Sequence, residues 1–106
     1  MDFYTRVAQY LNSEFAAQTA TYDDTSLNLL IKQHTALARL YKFTHEMETV
    51  QFIDLLWRIG FDFDTDPAYP WARTILANKR LPSSDKIALL RNAYAIDRAQ
   101  KTAEAM

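Results

Sequence analysis

The chain contains no cysteine. That absence excludes disulfides, thiolate metal sites and cysteine nucleophiles together. It has one glycine, Gly60, in 106 residues, where average usage of about 7% would supply roughly seven. Glycine provides the positive-φ positions of hairpins and of phosphate-cradling loops. A chain this poor in it is a poor candidate for a β-hairpin fold or a nucleotide-binding loop, and it contains no GxGxxG, phosphate-loop or CxxC pattern. No apolar run approaches the ~20 residues of a membrane span. The N-terminal stretch MDFYTRVAQYLNSEF carries Asp2 and Arg6 and lacks the apolar segment of a secretory signal. A soluble, cytoplasmic protein is the expectation.

What is present is an ordinary globular balance, 49% hydrophobic and 24% charged, enough for one domain with its own core. The net charge of −1 hides an asymmetry: residues 1–66 carry ten acids against five bases, residues 67–106 three acids against seven bases.

The apolar spacing is helical throughout. Phe3, Val7, Tyr10, Leu11 and Phe15 predict a first helix over 3–18 with Asp2 as its N-cap, and TATYDDTS reads as a loop. Ser26 to Ile59 is free of proline and glycine. One helix over those 34 residues would run about 51 Å, against a radius of gyration of about 13 Å for a compact domain of this size. A break is therefore expected within KFTHEME, with Thr44 capping a second helix and Glu46 and Glu48 in its first turn. The alternative is a single long helix in a homodimer. Gly60 reads as a left-handed cap, with Phe61 packing back on Leu56. Asp66-Pro67 reads as the start of a helix reaching Arg80, and Ser83 or Ser84 as the cap of a last helix. Residues 101–106 are expected to fray. The fold expected is an all-α, compact single-domain bundle of four to five helices over residues 1–106.

Asp62, Asp64 and Asp66 stand where an EF-hand loop places its first three ligands. The pattern then fails, because the required glycine is Pro67 and the bidentate glutamate is Arg73. The residues fit a helix–helix joint instead, an extended link with Phe61 and Phe63 inward and Asp62 and Asp64 toward water. His45 and Glu48 have the i, i+3 spacing of a metal pair without further ligands, and His34 lies in an apolar stripe. No catalytic, metal or cofactor site is expected. The serines sit in or beside caps, outside any nucleophile-elbow context.

Two surfaces remain. The first is the acidic joint with its aromatic neighbours, Asp62, Asp64, Asp66, Tyr69 and Trp71, suited to another protein with a basic surface, since tyrosine and tryptophan are enriched at interface hot spots. On this reading the protein is a small non-catalytic binding module, a regulator or inhibitor of the immunity or accessory type that occludes a partner. The second is the basic pair of helices over 67–101, in which Lys86, Arg91, Arg98 and Lys101 would contact nucleic acid as in a DNA-binding regulator.

Overall fold

A computed structural model of the chain, describing residues 2–104 (Glu104 by its backbone alone), is all-α. Six helices account for 75% of it, with no strand among the described residues. They fall into two compact units, Met1–Arg58 and Ile59–Met106.

In the first unit, Asp2 caps α1 (Phe3–Glu14) as its position predicts, its carboxylate accepting the Thr5 N–H at 2.8 Å. That hydrogen bond holds the Asp2 carboxyl below the usual range. The expected helix over 3–18 is in fact two. Phe15 leaves helical geometry at φ −128°, ψ 44°, and a one-turn helix, α2 (Ala16–Thr19), follows. Phe15 is buried, its ring 6.1 Å from that of Trp57 with the Arg58 guanidinium 5.1 Å above it.

The helix α3 (Asp24–Leu40) begins inside the expected loop. Asp23 caps it by accepting the Ser26 N–H at 2.7 Å, which satisfies one of the first-turn donors that a helix leaves open. The predicted break after α3 is present, with a cause the sequence does not advertise. Lys42 adopts φ +71°, the left-handed conformation that glycine usually supplies. Its N–H donates to the Arg39 carbonyl at 2.9 Å, and the Phe43 N–H donates to Ala38 at 3.0 Å. These are the paired bonds of a left-handed C-terminal cap, completed by an apolar side chain just beyond it: Phe43 is fully buried and stacks on Phe52 at 5.3 Å. The chain then enters α4 (Glu46–Ile59), with Glu46 and Glu48 in its first turn as expected. Thr49 locks the corner, its hydroxyl lying 3.1 Å from the Phe43 carbonyl and 2.9 Å from that of His45.

α1 packs on α3, and α4 is tied to α1 by side chains. Tyr10 donates its hydroxyl to Asp54 at 2.5 Å, and Arg58 reaches both Asp54 oxygens at 2.9 and 3.0 Å. Arg6 grips both oxygens of Glu46 at 3.1 Å. Leu11, Ile31, Phe43, Phe52, Ile53 and Leu56 are all fully buried, each contributing on the order of 1.5–3 kcal/mol. His34 shares this interior, its ring edge-on to Trp57 at 6.4 Å. Burial drives its pKa down to about 4, because an imidazolium there would lose its hydration.

The second unit holds α5 (Pro70–Ala77) and α6 (Ser83–Glu104), which pack on each other with Ala72, Leu76, Ile87 and Leu90 buried. α5 starts three residues later than Asp66-Pro67 predicts, with Pro70 in its first turn, where the missing N–H costs little. It ends at Ala77 rather than Arg80, Asn78 being extended at ψ 101°. α6 continues through Glu104, so residues 101–104 are helical where fraying is expected, and the last two positions lie outside the described residues.

Candidate functional site

The joint between Gly60 and Pro70 is a chain of turns, where an extended link is expected. Gly60 has φ +158°, far from the left-handed helical value near +57°, so it does not form the expected cap. The Phe63 N–H donates to the Gly60 carbonyl at 3.2 Å, and the Asp62 carbonyl accepts from both Thr65 and Asp66 at 3.0 Å. Asp66 folds its carboxylate back to accept the Ala68 N–H at 2.9 Å. It is thus an Asx turn ahead of the helix, and not the helix cap.

Turns change which side chains share a face. In an extended link neighbours alternate, which would place Phe61 with Phe63 and Asp62 with Asp64. In the coiled link, adjacent residues go together. Phe63 and Asp64 are buried, Asp64 to 6% exposure, while Phe61 is 40% exposed and Asp62 is open to solvent. Two expectations are therefore corrected: Asp64 does not face water, and Phe61 does not point inward.

Of the five residues proposed for a partner surface, four remain at least partly accessible. Asp62 is exposed, and Asp66, Tyr69 and Trp71 are half-buried. Their aromatic part is built as one cluster. Trp71 lies 6.4 Å from the buried Phe63 ring, and Tyr69 stands edge-on to Trp71 at 6.0 Å. Lys101 of α6 places its Nζ 4.6 Å above the Tyr69 ring while pairing with Asp97 at 2.9 Å. The hydrogen bond it donates to Asp97 raises the Lys101 pKa. Phe61 is exposed in the same joint, which sequence reasoning missed by reading alternation into a segment that turns.

The basic set fares differently. Lys86 is only 7% exposed, and its Nζ donates to the Leu76 carbonyl at 3.1 Å. That carbonyl lies in the last turn of α5, where acceptors lack intrahelical donors and a cation is favoured. Lys86 is thus a structural clamp between the two helices and is withdrawn from any nucleic-acid face. Lys101 is exposed but engaged by Asp97 and Tyr69, and Arg91 and Arg98 are exposed as well.

His45 is exposed and its Nε2 stands 4.0 Å from the buried Glu48 carboxylate. No third ligand joins them: among the described residues no three of His, Cys, Asp and Glu converge as a metal site would require. No helix among them is long and apolar enough to cross a membrane. Comparison of the chain with protein-family models, with curated proteins and with solved structures finds no match.

Proposed function

We propose that this protein is a small protein-binding module, a non-catalytic regulator or accessory protein that acts by covering part of a partner's surface through the joint at residues 61–71. One observation carries the reading. The joint presents an aromatic pair, Tyr69 edge-on to Trp71, and carries in the same segment an exposed Phe61 and the accessible carboxylates Asp62 and Asp66. Interfaces take this form, an aromatic core with a polar rim. The carboxylates favour a partner with a basic surface and would steer its approach. A DNA-binding role for α5 and α6 is the weaker reading, because it loses Lys86 from its contact set and retains Arg91 and Arg98.

The test is affinity capture from lysate of the source cells, with and without nuclease, using the wild-type chain and the double substitution Phe61→Ala/Asp62→Ala. The expected result is a stoichiometric protein that survives nuclease and is lost with the double variant while circular dichroism stays helical. A captured protein that the variant retains would remove the joint as the site. Capture that disappears on nuclease treatment and on charge reversal at Arg91 and Arg98 would favour nucleic acid, with steep salt dependence.

A further inference from the structure

The first unit contains a cleft of about 330 Å³ lined by its own residues. Its walls come from three stretches: Phe3 and Tyr4 at the start of α1, Thr35 and Arg39 on α3, and Thr44 to Thr49 at the entry to α4. The volume is at the lower end of the range for small-molecule sites. The lining is mixed, two aromatic rings together with hydroxyls and charges.

The charges of the cleft are not equally available. Asp2 is committed to the Thr5 N–H, and Glu46 holds the Arg6 guanidinium with both oxygens. The Thr35 hydroxyl donates to the Ile31 carbonyl at 2.8 Å, and that of Thr49 to its own corner. Arg39 differs: it is exposed, and among the described residues it has no ion pair or side-chain hydrogen bond. Thr44, also in the lining, has no hydrogen bond from its hydroxyl among the described residues. A planar guanidinium with five donors matches a carboxylate in two-pronged fashion, and a hydroxyl adds a further donor. Phe3 and Tyr4, half-buried with rings 5.8 Å apart, offer ring surface to the rest of the ligand, with the Lys32 Nζ standing over the Tyr4 ring at 5.6 Å. We infer that this cleft is a binding site for a small aromatic carboxylate, its acid group held by Arg39 and Thr44 and its ring against Phe3 and Tyr4.

Phenylacetate is the probe, with phenylacetamide as the neutral isostere and phenethylamine as the cation, each titrated into isotope-labelled full-length protein and followed by amide chemical shifts. Phenylacetate is expected to saturate, with the shifts concentrated at Tyr4, Thr35, Arg39 and Thr44. The amide and the amine are expected to bind ~2–5-fold more weakly, since a pair to an exposed guanidinium is screened by solvent. Arg39→Gln should reduce phenylacetate affinity by a similar ~2–5-fold factor, and Arg39→Lys by less. Arg39 is exposed, so neither change should alter the helical spectrum. Linear, non-saturating shifts, equal binding of acid and amine, or affinity unchanged in Arg39→Gln would each overturn the assignment.

Discussion

Acidification should destabilise the fold through His34, by an amount the structure sets. The side chain is 6% exposed and its pKa is lowered from 6.5 to about 4 by burial. The unfolded chain therefore binds a proton at this site well before the native state does. Well above pH 6.5 both states are neutral there and the site contributes no pH dependence. As pH falls from 6.5 toward 4, the unfolded state gains protons that the native state refuses, and stability declines. Integrated over that window, the loss is about 2 kcal/mol between pH 7 and pH 5, and about 3 kcal/mol by pH 4. The assay is urea denaturation at closely spaced pH values, comparing wild type with His34→Gln, so that carboxylate titrations common to both cancel. Trp57, buried and edge-on to His34, provides the fluorescence signal. The stability difference between the two proteins should shift against wild type by about 2 kcal/mol from pH 7 to pH 5. A flat difference, or an imidazole NMR titration with its midpoint near 6.5, would refute the claim that the interior keeps His34 neutral.

Three further outcomes follow from the packing. Lys42→Gly should stabilise the protein by roughly 0.5–1 kcal/mol, as relief of a left-handed lysine exceeds the extra chain entropy of glycine; Lys42→Val should destabilise it in the same denaturation assay. Asp54→Asn should cost roughly 1.5–3 kcal/mol through weakened charge-assisted bonds to Arg58 and Tyr10, and the Tyr10 phenol, held up at about 12 by burial and then by its bond to Asp54, should titrate closer to 10 in ring-labelled NMR. Lys86→Met keeps the length of the side chain but leaves the Leu76 carbonyl without its donor. It should cost about 1–3 kcal/mol and, if nucleic acid binds at all, leave that affinity unchanged.

Much of the helical architecture can be read from local rules. Asp2 caps α1 because a short carboxylate before an apolar helical stripe has few better uses, and Glu46 and Glu48 mark the first turn of α4 for the same electrostatic reason. The break after α3 is legible from length alone. Its mechanism is not, because propensity rules assign left-handed caps to glycine, and here the one glycine is elsewhere while Lys42 takes the conformation. The cap forms because Phe43 gains full burial just beyond it, a gain of on the order of 1.5–3 kcal/mol that outweighs the roughly 1–2 kcal/mol backbone cost.

The sequence by itself determined the class of the molecule: an all-α chain without thiol chemistry, phosphate loops or a membrane-spanning helix among its described residues. Composition and periodicity are sums over many residues, and such sums tolerate local exceptions. The tertiary structure decided which individual charges meet solvent. Asp64 is buried because its link coils instead of extending, and Lys86 is buried because an open helix end of α5 needs a donor there. The cleft around Arg39 exists only where residues 2–4, 35–39 and 44–49 come together. Each of these depends on partners distant in sequence or on the path of the backbone between them, and no spacing along one segment encodes either.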